Sequence, residues 1–153
     1  MEVTYVLCLP RDAASVPFVR HMLRSSMERL GVVADCISDI EIAVSEACTN
    51  VLRHAGEAHD AYEVKVRTTD SECEISVSDA GGSLDVSSLS LREAGPGAES
   101  GRGVFLMKYL VDDLHFVSDP DNGTVVRLRK KLELRPDSIL GKLTQSAAPP
   151  HRR

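Results

Sequence analysis

A glutamate and an asparagine four residues apart are the first side chains in this sequence that could carry out chemistry. Glu46 and Asn50 project from one face of a predicted helix, and Arg53 joins them by the helical repeat. The carboxylate can accept a proton, and the amide oxygen can hold a hard cation. On spacing alone, however, the pattern favours an ordinary solvated helix face with one polar pair.

Two glycine-containing motifs follow. Asp-Ala-Gly-Gly at 79–82 comes after an apolar strand, which places a carboxylate where the backbone turns sharply, although a plain turn has the same pattern. Gly-Arg-Gly at 101–103 opens a predicted helix, where free N–H groups and the helix dipole favour phosphate oxygens. It is neither a dinucleotide fingerprint nor a Walker A loop.

The elements that must position these residues follow from the apolar periodicity. It predicts a strand over 3–9, followed by a helix capped by Ser15 with Pro17 in its first turn and Gly31 at its end, and by a second helix from about Ser38 to His54. Two strands over 62–67 and 73–78, joined at 69–71, come next. A third helix follows Gly103, and the last two strands, over about 114–118 and 124–130, flank a tight turn at 121–123. Mostly antiparallel strands with helices on one face form a two-layer α+β sandwich.

The length of 153 residues predicts one domain. We expect it to span residues 1–134, with a mostly flexible tail over 135–153 that holds a short helical turn around 139–143. Residues 80–100 carry little apolar pattern, and a loop of this length in a compact domain is usually functional or disordered, and often a lid.

Composition and charge exclude several functions. The chain has no apolar run long enough to span a membrane and no signal peptide at its start, so we expect it to be cytoplasmic and not bound to a membrane. A net charge of −5 and the absence of tryptophan argue against binding to nucleic acid. The four cysteines lack the spacing of a zinc site and are expected to be reduced, structural thiols.

Taken together, the order and separation of the motifs resemble the ATP-binding (Bergerat) fold shared by histidine kinases and gyrase. Within that superfamily the sequence is most similar to the small RsbW-like anti-sigma factor serine kinases. The resemblance covers about residues 3–132 and is carried by the segments Leu-Pro-Arg-Asp-Ala-Ala-Ser-Val-Pro at 9–17, Glu-Ala-Cys-Thr-Asn-Val-Leu-Arg-His-Ala at 46–55, Gly-Arg-Gly-Val-Phe-Leu-Met-Lys-Tyr-Leu-Val-Asp-Asp at 101–113 and Gly-Thr-Val-Val-Arg-Leu at 123–128.

The resemblance implies a role for each residue of a nucleotide site. Asn50 would ligate Mg²⁺ that bridges the phosphates of ATP, and Glu46 would act as general base on a substrate serine. Asp79 would accept a hydrogen bond from the adenine amino group, with Gly81 allowing close approach and Thr124 supporting the contact.

The phosphates would be bound at the start of the third helix. Gly101 and Gly103 would bring backbone N–H groups to them, and Arg102 could reach the terminal phosphate, although a solvated arginine is an equally good interpretation.

By resemblance, the expected function is that of an anti-sigma factor and ATP-dependent protein-serine kinase. It would sequester a sigma factor, phosphorylate a STAS-type anti-anti-sigma antagonist and form a homodimer. The family usually continues its Asp-x-Gly motif with a glycine at the fifth position, where this chain has Ser83. A binding module without catalysis therefore stays open as an alternative, and so does a detached histidine-kinase catalytic domain that needs a separate histidine-bearing partner.

Overall fold

The computed structural model describes residues 1–54, 60–79, 101–119 and 123–146. In chain order its elements are β1 (Glu2–Pro10), α1 (Ser15–Leu30), α2 (Ala34–His54), β2 (Ala61–Thr69), β3 (Glu72–Ser78), α3 (Gly101–Leu110), β4 (Asp113–Asp119), β5 (Gly123–Lys131) and α4 (Ile139–Ser146). The predicted loop over 80–100 and the first two residues of the predicted turn at 121–123 lie outside the described residues.

The five strands form one antiparallel sheet in the order β1-β2-β3-β5-β4. Burial alternates along β2 and β3, because one face of the sheet packs against the helices and the other faces solvent. The hairpin between β2 and β3 pairs Thr68 with Cys73, as the turn at 69–71 predicted. The α+β architecture predicted from the sequence is confirmed.

The solvent face of the sheet carries ion pairs between neighbouring strands. Arg127 of β5 contacts Glu74 of β3 at 2.8 Å, and Arg129 contacts Glu72 of β3 at 3.1 Å as well as Asp113 of β4. The hydrogen bond from Arg129 lowers the pKa of the Asp113 carboxyl below its ordinary value. These contacts hold β5 to the strands on both its sides.

Helix α1 packs through Val19, Leu23 and Met27, which recur every four residues and are fully buried. It ends at Gly31, as predicted, where φ is +88° and an added Cβ would lie 2.3 Å from the Cβ of Ser138. Glycine is therefore required there by both backbone conformation and space.

The prediction that Ser15 caps α1 is wrong. The N-cap residue is Ala14, whose N–H donates to Asp12 Oδ1 at 2.8 Å. The Ser15 hydroxyl lies within the helix instead, 2.6 Å from the Asp12 carbonyl oxygen and in contact with the buried Tyr62 hydroxyl. No side chain in the described part of the chain caps the first turn of α1.

Helix α2 begins at Ala34, four residues before the predicted start. Ile37 N–H donates to the Val33 carbonyl oxygen at 3.2 Å, and the Ile37 side chain is buried, so packing rather than a capping residue sets the start of the helix. The helix lies between α1 and α3 and packs on β3 and β5. It is the central element of the helical layer.

Beyond residue 134, at the start of the predicted tail, the chain packs back on the end of α1. Arg135 N–H donates to the Gly31 carbonyl oxygen at 2.7 Å, and Leu140 of α4 is fully buried. The predicted short helical turn is the longer helix α4, and the packed chain extends past the boundary predicted at residue 134. Residues 147–153 lie outside the described part.

All four cysteines are free, as predicted, and three of them are buried. Burial raises the pKa of Cys48 and of Cys73 to about 12, so both thiols are neutral at physiological pH. Among the described residues no cluster of metal-ligating side chains is present, and none of the described helices is long and apolar enough to cross a membrane.

Candidate functional site

The first turn of α3 comes very close to the polar face of α2. A Cβ added to Gly103 would lie 2.8 Å from Glu46 Oε2 and 3.7 Å from both Asn50 Nδ2 and Asn50 Oδ1. A side chain at residue 103 would therefore displace the Glu46 carboxylate. The structure thus brings together three residues that the sequence analysis singled out in two separate motifs.

Asn50 is a buried polar residue at the centre of this contact. Its side chain is 2% exposed, and its Nδ2 has no hydrogen-bond partner among the described residues. An unpaired buried amide costs about 1–3 kcal/mol, so such groups usually have a function. An asparagine amide can rotate by half a turn and present its oxygen where the nitrogen stands. The position is therefore suited to a polar ligand or a cation.

A second buried polar group lies where β3 ends beside the start of β5. Thr124 N–H donates to Asp79 Oδ1 at 2.6 Å, and Asp79 N–H donates to the Thr124 carbonyl oxygen at 3.2 Å. This reciprocal pair fixes the orientation of the carboxylate. The other oxygen, Asp79 Oδ2, is buried and has no partner within the part of the chain that the structure describes. Asp79 thus holds one free acceptor in a fixed direction.

Both buried groups lie on the helix-covered side of the sheet. Asp79 continues the alternation of Ile75 and Val77, which are buried under the helices, and Thr124 is fully buried on the adjacent strand. The unpaired carboxylate oxygen of Asp79 therefore belongs to a residue on the helix-covered side of the sheet, and the unpaired amide of Asn50 lies beside the first turn of α3.

For the remaining predicted site residues, the structure describes the backbone at the start of α3 but neither the Arg102 side chain nor Gly81. The α3 helix begins at Gly101, not after Gly103, so Gly101, Arg102 and Gly103 form its first turn. The N–H groups of a first turn have no partner within the helix and can donate to an anion. The Arg102 side chain and Gly81 lie outside what the structure describes.

Comparison with known proteins identifies the family of the chain. The sequence model of the protein family described as the histidine kinase-like ATPase domain matches residues 9–130 of this chain. The serine-protein kinase RsbW of Bacillus licheniformis is 35% identical over 80% of this chain and 82% of its own length. The RsbW protein of Bacillus velezensis is 33% identical over 86% of this chain and 88% of its own. The chain belongs to the histidine kinase-like ATPase family, on its RsbW branch.

A solved structure supports the same fold. The RsbU and RsbW domains of Rv1364c from Mycobacterium tuberculosis superpose with a TM-score of 0.64 at 23% sequence identity. The match covers 88% of this chain and 33% of that longer one. At this identity the likeness concerns the fold alone.

A lysine that the sequence analysis did not single out holds α3 against α2 in this RsbW-type domain. Lys130 Nζ donates to the Leu110 carbonyl oxygen at the end of α3, at 2.7 Å, and to Asp39 Oδ2 near the start of α2, at 3.2 Å. The signal was present in the sequence: Val126 and Leu128 point to the core, so the strand alternation turns Lys130 toward the helices as well.

We predict that Lys130→Met lowers the free energy of unfolding by about 1–2 kcal/mol, because two hydrogen bonds to a charged donor are lost. Urea denaturation monitored by circular dichroism measures this change. Lys131→Met is the matched control, since Lys131 is exposed and Asp112 accepts a hydrogen bond from its backbone N–H, which the substitution keeps. Equal stability of the two variants would show that Lys130 does not hold α3 in place.

Proposed function

We propose that this protein is an ATP- and Mg²⁺-dependent protein-serine kinase that acts as an anti-sigma factor, with a STAS-type anti-anti-sigma antagonist as its substrate. The observation that carries the proposal is the close approach of the first turn of α3 to Glu46 and Asn50, where a Cβ added to Gly103 would lie 2.8–3.7 Å from their side-chain atoms. The RsbW relatives, which are named serine-protein kinases, support the same activity.

The adenine end of the nucleotide is assigned to Asp79 and Thr124. Adenine carries an exocyclic amino group that donates hydrogen bonds, and Asp79 Oδ2 is a buried acceptor without a partner among the described residues. The Thr124 N–H holds the other carboxylate oxygen and so fixes the direction of the free one. Gly81 is assigned the close approach of the backbone to the base. The residues present therefore fit the exocyclic amino group of adenine.

The phosphate end is assigned to the start of α3 and to Asn50. The backbone N–H groups of Gly101 and Gly103 are suited to phosphate oxygens, and Arg102 is assigned to the terminal phosphate. Asn50 offers a buried amide, and its oxygen is a ligand type that Mg²⁺ accepts. When bound, the ion neutralises charge on the transferring phosphoryl group.

Glu46 is assigned the role of general base. Its carboxylate takes the proton of the substrate serine hydroxyl while the serine oxygen bonds to the terminal phosphorus of ATP and the bond from that phosphorus to ADP breaks. The products are phosphoserine and ADP, and the proton is left on Glu46. Because Glu46 faces the first turn of α3, it lies beside the place where the phosphates are expected.

This chemistry would control which of two protein partners is bound, the sigma factor or the antagonist, an exchange called partner switching. In the proposal, the ATPase domain comprises residues 1–134 with α4 packed against it, the protein acts as a homodimer, and one surface holds a sigma factor. Phosphorylation of the antagonist prevents the antagonist from displacing the sigma factor. A binding module without catalysis shares the fold and the partners, and differs only in forming no phosphoserine.

We predict that Glu46→Gln abolishes phosphoryl transfer to a STAS-domain substrate and leaves ATP affinity within about twofold, because the amide keeps the shape of the side chain but cannot take a proton. Transfer is measured by mass spectrometry of phosphoserine, and affinity by calorimetry.

Glu63→Gln serves as the control for this variant, since the Glu63 position alternates with the buried Tyr62 and Val64 toward the solvent face of the sheet. Undiminished transfer by Glu46→Gln would refute the assignment of the base. Nucleotide binding without any phosphoserine in the wild type would favour the non-catalytic binding module.

We predict that Asp79→Asn weakens ATP binding by about tenfold to a hundredfold, the range expected when a hydrogen bond to a charged acceptor is lost. The loss depends on the nucleotide base. The amide oxygen of asparagine can still accept from the Thr124 N–H, but its NH2 group, a donor, replaces the free acceptor Oδ2 of Asp79. The ratio of ATP to GTP affinity should therefore fall, because guanine presents an oxygen where adenine presents its amino group.

Calorimetry with both nucleotides measures this ratio. The exposed Asp137→Asn is the control. An unchanged ATP affinity, or an equal loss for ATP and GTP, would contradict the adenine contact.

A further inference from the structure

The outer edge of β1 is a long and almost uncharged strand edge with no partner strand among the described elements. β1 pairs with β2 along all of Glu2–Pro10 and lies at the end of the sheet. Glu2 is its only charged residue, and its only proline, Pro10, stands at its end. Proteins usually protect such an edge with charges, proline or a short strand, because its free N–H and C=O groups pair readily with another strand.

The strand at the opposite end of the sheet, β4, has this protection. It is shorter, with seven residues, and carries an aspartate at each end and a histidine between them. The lack of such residues along β1 indicates an edge that binds another strand.

The hydrogen bonds of β1 show which backbone groups face its free edge. Just past the strand, Arg11 N–H donates to the Asp60 carbonyl oxygen at 2.9 Å, in the register of the β1–β2 pair. In an antiparallel pair, residues that bond to the partner strand alternate with residues that do not. The N–H and C=O groups of Thr4, Val6 and Cys8 therefore point away from β2, and all three residues are exposed.

Helix α1 lies over β1 and β2 and runs in the direction opposite to β1. Near the start of the helix, the Ser15 hydroxyl contacts the hydroxyl of Tyr62 on β2. Near its end, Ser26 Oγ lies 2.9 Å from the hydroxyl of Tyr5 on β1. Tyr62 is the register partner of Leu9, so α1 follows β1 back from Leu9 to Tyr5.

One flank of α1 faces α2, and the other lies beside the free edge of β1. Arg24 Nε donates to Glu41 of α2 at 2.8 Å, and Arg24 lies about 160° around the helix from Ser26, with the buried residues between them. Met22 and Phe18 lie about 40° and 80° from Ser26 in the other direction, away from α2. Phe18 is 50% exposed, and Met22 is partly exposed. We call these two residues the free flank of α1.

We propose that the free edge of β1 pairs antiparallel with the same edge of a second copy of this chain, and that the free flanks of the two α1 helices pack against each other above it. This inference rests on the homodimer of the proposed function and names its surface. The paired strands would join the two sheets into one continuous sheet, with the helices of both copies on the same side.

The residues of the edge are compatible with such a pair. Two identical antiparallel strands are related by a two-fold axis, so each copy contributes the same surface. With the axis at Val6, the Val6 backbone groups of the two copies bond to each other, and those of Thr4 bond to Cys8 of the second copy. Glu2 then lies opposite Pro10 of the second copy, so that no like charges face each other across the strands.

The spacing of the layers favours a second copy over an isolated peptide strand. Strands lie about 4.8 Å apart, so a helix above the middle of β1 and β2 has its axis about 5 Å from the two-fold axis. The two α1 helices are then about 10 Å apart, which is the distance between packed helices. Pairing of the strands thus removes Phe18 and Met22 from water, whereas an isolated strand would leave them exposed.

Sedimentation equilibrium of the full chain tests this pairing. Val6→Lys should raise the dissociation constant of the dimer by about tenfold or more, because two lysines meet at the two-fold axis, and Val6→Glu should do the same. An equal mixture of the two variants should restore dimers with an affinity close to that of the wild type, since opposite charges then face each other.

A second variant tests the helix contact independently. Phe18→Ser should also raise the dissociation constant, by about tenfold, a loss typical of an interface aromatic residue. Circular dichroism checks that each variant is folded, which is expected because Val6 and Phe18 are 47% and 50% exposed.

Two matched variants control for these changes on other elements. Ile139→Lys places a lysine at a β-branched residue of α4 that is 51% exposed, and Phe105→Ser removes an aromatic residue of α3 that is 75% exposed. Both should leave the dissociation constant within twofold of the wild type.

The outcomes separate this inference from the kinase activity. A monomeric wild-type protein would overturn the inference together with the proposed homodimer. Unchanged dimers in Val6→Lys, Val6→Glu and Phe18→Ser would overturn the inference alone, and so would a mixture of the two Val6 variants that stays monomeric. Phosphoserine on a STAS-domain substrate is measured separately. Dimers with the expected restoration but without phosphoserine would support the inference and overturn the proposed kinase activity.

Discussion

The close approach of α3 to α2 at Gly103 is the constraint on which the site depends. A side chain at residue 103 would displace the Glu46 carboxylate. Because residue 103 is glycine, the first turn of α3 lies directly against the polar face of α2. This approach covers a helix face that would otherwise be solvated with the first turn of another helix. Lys130 fixes the opposite end of the helix pair, so the separation of α2 and α3 is set at both ends.

The second feature of the site is that it holds polar atoms at a cost to stability. Asn50 Nδ2 and Asp79 Oδ2 are buried without hydrogen bonds in the part of the chain that the structure describes, and each such group costs about 1–3 kcal/mol. Both side chains are held in place, Asp79 by its reciprocal pair with Thr124 and Asn50 by the packing of α2. Rigid, unpaired groups of this kind bind a ligand without further ordering, which favours affinity.

Sequence patterns predicted the framework better than the contacts between its elements. Alternation found β2, β3 and their hairpin, because burial on one face imposes a period of two. Spacing also placed Glu46 and Asn50 on one helical face, but it could not show that this face meets α3 rather than solvent. That contact joins residues more than fifty positions apart and is set by tertiary packing. The family resemblance supplied what spacing lacked.

The errors have physical causes of the same kind. Ser15 is a good capping residue by type, but its hydroxyl bonds the Asp12 carbonyl oxygen and the buried Tyr62 hydroxyl instead of a helix N–H. The early start of α2 and the packing of Leu140 follow from burial against distant parts of the chain. Lys130 was predictable in its direction from the strand alternation, but its partners Asp39 and Leu110 belong to elements whose positions the sequence does not specify.

Nucleotide binding through Asn50 is the central claim, and calorimetry of ATP and ADP with and without Mg²⁺ tests it most directly. The protein is first freed of nucleotide, and Thr49→Ala, which removes a hydroxyl bonded only within α2 to the Ser45 carbonyl oxygen, serves as the control for Asn50→Ala. The account predicts binding that is strengthened by Mg²⁺, lost in Asn50→Ala and kept in Thr49→Ala. Absence of binding to the wild-type protein at millimolar nucleotide, or equal Mg²⁺-dependent binding by both variants, would contradict it.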